Sequence, residues 1–410
     1  MGGLWPATSG GRIRSLLTLS HLSARHQVTV VTTHGPDDDP AGLARRLPNC
    51  RHVVSFPFTA PKFGSAAFVR ALAGSWFSRY PVDLWKWRLP AIREQVQELL
   101  AEEQFDLCVA DFLVAASHLP QANPVPVVLF EHNVEYLIWQ RLATLERRLV
   151  RRTLLDVEWR KLRRCEAAAC AAADLTITVS DTDRRTLTEV APTARIASVP
   201  TGVDTTYFTP GGRREIPHRL VFTGAMDWYP NHDAVLYFCD AILPRIRTRI
   251  PDVSLTVVGR NPGPHLASLA RLGVTVTGTV PDVRPHIDEA ALYVVPLRAG
   301  GGTRLKIFEA LAMAKAVVST TIGAEGLGVT ANRDIVLADD PDTFAHAVVA
   351  LLQDAPTRQR LGRAGRALVE STYTWRHAAE TFEAHCEAIL TEKAQNPGPR
   401  ASGLHPGIYT

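Results

Sequence analysis

Segment 294–327 of this sequence, VVPLRAGGGTRLKIFEALAMAKAVVSTTIGAEGL, places charged side chains directly behind a run of glycines. Glycines allow the backbone to turn sharply and to approach a ligand closely. The free amides at a helix start, together with the helix dipole, favour an anion there. The segment therefore predicts an anion-binding helix start. Its candidate residues are Gly301, Gly302, Thr303, Arg304, Lys306 and Glu309.

The predicted helix Arg304–Met313 places two cations next to a carboxylate. Arg304 can grip a phosphate through two hydrogen bonds, and Lys306 adds a point charge. Glu309 lies about one and a half turns after Arg304, where it can accept hydrogen bonds from ribose hydroxyls. This pattern suits a sugar nucleotide with its diphosphate at the helix tip. The alternative is a glycine turn before an amphipathic helix with both cations in solvent, and the spacing does not choose between them.

Short apolar runs alternate with helical patterns along nearly the whole chain. Such alternation predicts parallel sheets with right-handed crossovers, and two such halves predict two doubly wound α/β domains. Ligands bind at the carboxyl ends of such strands, so we expect the site in a central cleft between the domains. The predicted strands are 27–32, 52–56, 106–110, 125–130, 174–179, 195–199, 220–223, 254–258, 274–277, 292–296, 316–319 and 335–337.

The stretch 200–217 is rich in proline and glycine and predicts the domain boundary. We expect Rossmann-like domains over 1–200 and 201–375, a helix over 376–393 that packs back on the first domain, and a disordered tail over 394–410. A doubly wound domain should open with a full strand, and only Leu4-Trp5 remains of it here. The first sheet is therefore expected to be weakened.

Composition excludes several classes of protein. The 410 residues are 46% hydrophobic and carry a net charge of +4, which allows two cores but is too mild for a nucleic-acid binder. The six cysteines form no CxxC pair, so we expect a reduced, cytoplasmic protein without disulfides or structural zinc. No apolar run approaches the roughly 20 residues of a membrane helix, and no secretory signal is evident.

Two segments suggest peripheral contact with an anionic membrane, at its inner face. Segment 141–164 holds nine basic residues against Glu146, Asp156 and Glu158, and segment 76–88 mixes aromatic with basic residues. Cations near an anionic bilayer are attracted to it. The alternative is a solvated basic helix with buried tryptophans.

Segment 294–327 resembles the donor site of the GT-B retaining glycosyltransferases of family 4. The resemblance covers about residues 4–392. It implies transfer from a nucleoside diphosphate-sugar to a glycan or lipid-linked acceptor in polysaccharide or glycoconjugate biosynthesis. Retention of the anomeric configuration is implied, with no cofactor and no metal. The further segments that match, in order, are SGG at 9–11, FEHNVE at 130–135, VPTGVD at 199–204, FTGAMDW at 222–228 and YTW at 373–375.

The resemblance also implies roles for residues of the first domain. Gly10 and Gly11 belong to a loop that meets the donor phosphates and the reacting centre in the family. His132 follows a predicted strand and matches a histidine that lines the catalytic centre near the donor sugar. From the residues alone, His132 can equally cap the edge of the sheet. No catalytic base is expected, because the leaving phosphate can accept the proton of the acceptor.

Three carboxylates of the first domain are further candidates for the cleft. Glu131 and Glu135 flank His132 and can contact the acceptor. Asp111 follows the predicted strand 106–110 and is expected at the same sheet edge.

The sequence departs from the family at two places. The family has two glutamates eight positions apart in its donor motif; Glu309 matches the second, whereas Gly301 stands at the first. Asp227 and Asn231 occupy a region where the family often has Arg and Lys. We therefore expect Arg304 and Lys306 to carry most of the diphosphate binding.

Two other functions fit the same fold. One is a sugar-nucleotide epimerase, which would convert a donor without an acceptor. The other is a catalytically silent protein that binds a sugar nucleotide, as the glycine at position 301 and the short first strand suggest. The HExxH, Walker GxxxxGK and GxSxG motifs do not occur.

Overall fold

The computed structural model describes residues 3–7, 9–62, 64–120, 123–263, 266, 268–300 and 304–395. The chain divides into two compact units, unit 1 (Met1–Pro200 with Ala378–Thr410) and unit 2 (Thr201–His377). Residues 396–410, most of the predicted tail, lie outside the described part. Within that part, no helix is long and apolar enough to span a bilayer.

The described residues of unit 1 form six short strands, all paired in parallel in two separate sheets. One sheet pairs β1 with β2, and the other has the order β3-β4-β5-β6. Segment 3–7, where the sequence predicts the remnant of a first strand, forms no strand, although Leu4 is buried in the core. The strands are β1 (Thr29–His34), β2 (His52–Pro57), β3 (Cys108–Asp111), β4 (Val127–Glu131), β5 (Leu175–Thr178) and β6 (Ile196–Ser198).

The helices of unit 1 are held partly by buried glutamates. Glu158 and Glu166 lie eight residues apart on one face of the long helix α8 (Leu149–Ala172). Glu158 accepts a hydrogen bond from the amide of Val82 at the start of α4 (Val82–Trp85), and Glu166 accepts from two amides at the start of α7 (Glu135–Leu145). The helices are α1 (Gly10–Ser23), α2 (Pro40–Arg46), α3 (Ala66–Trp76), α4 (Val82–Trp85), α5 (Pro90–Glu102), α6 (Leu113–Ala116), α7 (Glu135–Leu145), α8 (Leu149–Ala172) and α9 (Asp181–Val190).

Unit 2 contains one parallel sheet with the strand order β12-β11-β10-β7-β8-β9. From β7 the chain continues to β8 and β9 on one side, and it then crosses back to form β10 on the opposite side of β7. The direction in which strands are added therefore changes between β7 and β10. Every residue of β10 is buried, as expected for a central parallel strand. The strands are β7 (Ile216–Thr223), β8 (Ser254–Val258), β9 (Val274–Val276), β10 (Ala290–Val295), β11 (Val317–Ser319) and β12 (Val336–Leu337).

The helical segment that follows β7 is interrupted. It forms α10, a wider π-type turn at Phe238–Ile242, and then α11. Pro244 explains the change, because proline has no amide hydrogen and its ring clashes with the carbonyl four residues earlier. The helices from here on are α10 (Tyr229–Tyr237), α11 (Leu243–Arg247), α12 (Arg284–Glu289), α13 (Leu305–Ala312), α14 (Pro341–Gln353), α15 (Ala355–Thr372) and α16 (Trp375–Gln395).

The last helix, α16, belongs to unit 1 from Ala378 onward. The ring of Phe382 lies 4.9 Å from that of Phe130 on β4. The buried carboxylate of Glu383 lies 2.6 Å from His26 Nε2 and 3.0 Å from Arg25 Nε, just beyond the end of α1. The prediction of an α/β fold with parallel sheets is confirmed.

Candidate functional site

The carboxyl ends of β7 and β10 bring the candidate residues of unit 2 together. Gly224 follows β7, and α13 begins shortly after β10. A ligand in a doubly wound sheet is expected at such a switch of strand order. The backbone is crowded there: a Cβ on Gly259 would lie 1.7 Å from the carbonyl oxygen of Gly224, and a Cβ on Gly224 would lie 2.6 Å from Lys306 Nζ. Only glycine fits at these two positions.

Lys306 is held in place by Asn231, a residue noted above only because the family often has a basic residue in its region. Its Nζ donates a hydrogen bond of 2.6 Å to Asn231 Oδ1 and lies 4.1 Å from the ring centroid of Phe222. Asn231 Nδ2 in turn donates to the carbonyl of Ala225 at 2.9 Å. Burial, assisted by the nearby charge of Arg304, lowers the pKa of Lys306 to about 7. An anion beside Nζ would favour the charged ammonium.

Arg304 occupies the cap position immediately before α13. It is buried, and its guanidinium carbon lies 5.6 Å from the ring centroid of Trp228, a cation–π contact. A Cβ on Gly300 would lie 2.5 Å from Arg304 Nη2, so the first glycine of the run packs closely on the guanidinium. The other residues of that run with predicted roles, Gly301, Gly302 and Thr303, lie outside the described residues.

Glu309 lies on α13 one turn after Lys306. Burial raises the pKa of its carboxyl group to about 7, while the positive charge of Lys306 acts in the opposite direction. Within the described residues, no side chain hydrogen-bonds this carboxylate. A buried acceptor gains most from a ligand that brings its own donors. The group is therefore suited to bind hydroxyls, and we name Arg304, Lys306 and Glu309, with Asn231, the α13 site.

In unit 1, the ends of β3 and β4 bring Asp111 and His132 into contact. His132 Nε2 lies 2.6 Å from Asp111 Oδ1, and Ser15 Oγ on α1 donates to Asp111 Oδ2 at 2.5 Å. Burial acts to raise the pKa of Asp111, but His132 and Ser15 together hold it below its usual value. The carboxylate is therefore ionised and can only accept, which requires His132 to carry its proton on Nε2.

His132 is held as a neutral ring. It is 2% exposed, and burial lowers its pKa to about 4 despite the opposing charge of Asp111. Its ring stacks on Phe112 with centroids 3.8 Å apart and an angle of 22°. Nδ1 makes no hydrogen bond with a described residue. Because Nε2 holds the proton, Nδ1 can only accept a hydrogen bond. We name His132, Asp111 and Ser15 the His132 site.

The residue that covers His132 adopts an unusual backbone conformation. Phe112 has φ of 75° and ψ of 153°, a region that residues other than glycine rarely occupy. Its ring also contacts α1, since a Cβ on Gly11 would lie 2.6 Å from Phe112 Cζ. Outliers of this kind cluster at active sites, because the surrounding fold must hold them in place. Phe112 is thus part of the His132 site that the sequence did not indicate.

The structure also shows the surroundings of the remaining candidate residues of unit 1. The expected loop at Gly10 and Gly11 is instead the first turn of α1, which begins at Gly10. Glu131 is 1% exposed, so its carboxyl group lies in the interior of unit 1, and burial and then Glu166 raise its pKa well above the usual value. Glu135 opens α7 and accepts a hydrogen bond from Asn133 Nδ2 at 3.1 Å.

The sequence also gave no signal for Arg14. It is buried on α1, and burial lowers its pKa to about 10 although Asp111 and Asp183 act to raise it. Its charge also lowers the pKa of His132. Arg14 and Ser15 lie within an ordinary helical pattern, so only the packing of α1 on β3 reveals them.

Each half of the chain matches a family model of glycosyltransferases. The family model described as Glycosyltransferase Family 4 matches residues 9–207, and the model described as Glycosyl transferases group 1 matches residues 217–354.

Among curated relatives, an uncharacterized 44.6 kDa protein in the cps region of Klebsiella pneumoniae is 19% identical, over 84% of this chain and 87% of its own length. A GDP-mannose-dependent alpha-(1-6)-phosphatidylinositol monomannoside mannosyltransferase of Mycobacterium tuberculosis is 28% identical, over 49% of this chain and 58% of its length. A D-inositol 3-phosphate glycosyltransferase of Paenarthrobacter aurescens is 28% identical, over 48% and 52%. The chain thus matches little more than half the length of the last two.

Solved structures of low sequence identity share the fold. Sucrose-phosphate synthase from Thermosynechococcus elongatus superposes with a TM-score of 0.70 at 16% identity, covering 94% of each chain. Anabaena HepE in complex with UDP and glucose superposes with a TM-score of 0.64 at 14% identity, covering 95% of this chain and 98% of that one. These likenesses establish the GT-B fold.

Proposed function

The chain belongs to the group 1 glycosyltransferases of family 4, and from this premise we propose that it transfers a sugar from a nucleoside diphosphate-sugar to a glycan or lipid-linked acceptor. We propose further that the anomeric configuration is retained and that the product enters a polysaccharide or glycoconjugate. The observation that carries the proposal is the α13 site, where two cations and a carboxylate follow the glycine run at the switch of strand order. UDP and UDP-glucose occupy structures of HepE, and mannosyltransferase relatives use GDP-mannose, which supports a nucleotide donor.

In the proposed reaction, Arg304 and Lys306 bind the diphosphate, together with the amides of Gly301, Gly302, Thr303 and Gly11, and Glu309 binds the ribose. Cleavage of the glycosidic bond leaves negative charge on the departing diphosphate, and fixed cations stabilise that charge more in the transition state than in the ground state. His132 Nδ1 accepts a hydrogen bond from a hydroxyl of the donor sugar. Asp111 orients His132, and Gly10 and Glu135 remain candidates for acceptor contact.

A panel of ligands tests the proposal directly. Thermal unfolding is measured with UDP-, GDP- and ADP-sugars, because a ligand that binds only the folded protein raises its stability. Nucleotide release is then followed with and without glycan and lipid-linked acceptors. Release that depends on an acceptor supports transfer, isomerisation without an acceptor indicates an epimerase, and binding without turnover indicates a silent protein. A chain stabilised by no sugar nucleotide would contradict the proposal.

Lys306 makes donor binding dependent on pH. Its pKa in the free protein is about 7, and a diphosphate beside Nζ raises that pKa because it favours the ammonium. At about pH 8 most Lys306 side chains are neutral, so we expect binding to take up a proton and affinity to fall as the pH rises above about 7. Titration calorimetry in buffers of different ionisation enthalpy measures the uptake.

Two variants test whether the proton that is taken up on binding goes to Lys306. Lys306→Met should abolish the uptake, whereas Glu309→Gln should keep it. Binding near pH 8 without proton uptake in the wild type would refute the placement of Lys306 at the diphosphate.

We also propose that transfer needs no divalent metal, since Arg304 and Lys306 supply positive charge where a metal would otherwise act. Turnover should therefore persist in excess EDTA at the rate seen without it. The measurement is acceptor-dependent nucleotide release from protein dialysed against EDTA. Activity that disappears on chelation and returns with Mg²⁺ or Mn²⁺ would overturn this expectation.

A further inference from the structure

Two helices of unit 1 expose large apolar side chains to solvent. At the end of α3, Phe77 is 96% exposed, and Trp76 and Val69 are also exposed. At the start of α8, Leu149 and Val150 are 79% and 77% exposed. Single exposed hydrophobic residues are ordinary, but clusters of them mark interaction surfaces. The sequence had suggested buried tryptophans in this region, and Trp76 is not buried.

The exposed residues share one face on each helix. Val69 and Trp76 are seven residues apart on α3, and Val150 and Val157 are seven apart on α8, which is two helical turns in each case. The buried residues of α8, among them Leu162, lie on a different face. Each helix therefore carries an apolar stripe that does not pack into the core.

A hydrogen bond joins the two helices close to these residues. Lys161 Nζ on α8 donates to the carbonyl oxygen of Ser75 on α3 at 2.8 Å. Lys161 lies one turn after Val157, and Ser75 directly precedes Trp76. We call the combined surface the α3–α8 surface; its residues are Val69, Trp76, Phe77, Leu149, Val150 and Val157.

Exposed cations lie near these apolar residues in sequence, on or beside the same two helices. They are Arg70, Arg147, Arg148, Arg152 and Arg164. The neighbouring acids are engaged elsewhere: Glu146 pairs with Arg151 at 3.1 Å, Asp156 accepts from the indole of Trp159 at 2.9 Å, and Glu158 is buried. The surface therefore combines exposed apolar side chains with an excess of exposed cations.

We propose that the α3–α8 surface docks on an anionic phospholipid bilayer. Aromatic and aliphatic side chains insert at the level of the headgroups, while arginines remain at the lipid phosphates. The charge complementarity with anionic lipid and the solvent-directed aromatic residues together favour this occupant. The inference goes beyond sugar transfer, because it depends on neither the α13 site nor the His132 site.

The test is sedimentation of the full chain with vesicles of equal parts phosphatidylglycerol and phosphatidylcholine, beside vesicles of phosphatidylcholine alone. We expect binding to the anionic vesicles that weakens with salt. The double variant Trp76→Ser and Phe77→Ser should weaken it by about tenfold or more. Reversing charge with Arg147→Glu and Arg148→Glu should weaken it by about fivefold for each cation lost, or more.

Matched controls lie in unit 2. Leu272 is an exposed apolar residue, and Arg360 and Arg363 are exposed cations on α15. Leu272→Ser, and the double reversal Arg360→Glu with Arg363→Glu, should bind vesicles like the wild type. Nucleotide binding by every variant checks its folding and tests the proposed function separately.

Three results would overturn the proposal. The chain could stay in solution with anionic vesicles at low salt, it could bind both kinds of vesicle equally, or the surface variants could bind as well as the controls. Sedimentation velocity tests whether the surface binds a second copy of the chain instead. A dimer of the wild type that is lost in the Trp76 and Phe77 variant, while vesicle binding is unchanged, would assign the surface to that second copy.

Discussion

Replacing Arg304 by alanine is expected to weaken binding of a nucleoside diphosphate by about 100-fold. Hydrogen bonds to charged groups contribute about 1.5–3 kcal/mol each, and about 1.4 kcal/mol corresponds to a factor of ten. Because Arg304 is held at the start of α13 beside Trp228, nearby side chains cannot replace it without rearrangement. Titration calorimetry with UDP, GDP and inorganic pyrophosphate measures the loss.

Comparing nucleotides with pyrophosphate distinguishes the roles of Arg304 and Glu309 in the α13 site. Arg304→Ala should weaken pyrophosphate and nucleotides alike, whereas Glu309→Ala should weaken nucleotides and leave pyrophosphate unchanged, because only nucleotides bring a ribose. Arg363→Ala on α15, which removes an exposed arginine, is the control and should change nothing. Normal nucleotide affinity in both site variants, with unchanged thermal stability, would remove the basis for a donor site here.

His132→Ala is expected to lower kcat by about 100-fold while changing donor affinity much less. The proposed hydrogen bond that Nδ1 accepts from a sugar hydroxyl strengthens as charge develops on the sugar, and a single such interaction can supply a factor of about 100. Asp111→Ala should cause a similar loss, since without its carboxylate the ring of His132 loses the bond that fixes its proton on Nε2. Steady-state kinetics with a saturating acceptor measures both.

A double variant tests whether the two residues act together. Asp111 and His132 removed together should be hardly slower than either single variant, because both changes disable one unit. Ser15→Ala removes the other hydrogen bond to Asp111 and should cost only a few-fold in rate, since Asp111 still holds His132. Losses that add fully, or a His132 variant that loses donor affinity and keeps kcat, would argue against this arrangement.

The order of strands and helices was readable from the sequence because it depends on local patterns. Buried parallel strands are short apolar runs, and each predicted strand overlaps one in the structure. Ser180 illustrates a local signal for a helix start: its hydroxyl accepts a hydrogen bond from the amide of Asp183, three residues further along the chain. Pro244 interrupts the helical segment after β7, because its ring and its missing amide hydrogen prevent a regular α-helical turn there.

The α13 site was predictable for the same reason. Arg304, Lys306 and Glu309 lie within one helical segment, so their spacing alone places them near each other. Their environment was not predictable, since the burial that brings the pKa of both Lys306 and Glu309 to about 7 comes from elements distant in the chain.

By itself, the sequence determined the α/β class, the succession of elements and the charged helix behind the glycine run, because each follows from neighbours within a few turns. Only the tertiary structure decided which distant side chains meet. Asn231 reaches Lys306 across 75 residues, and Ser15 reaches Asp111 across 96. It also placed Glu131 in the interior beside Glu166, although its neighbours in sequence suggested an acceptor contact. Such pairings depend on how strands align and helices pack, which residue types and spacing along the chain do not encode locally.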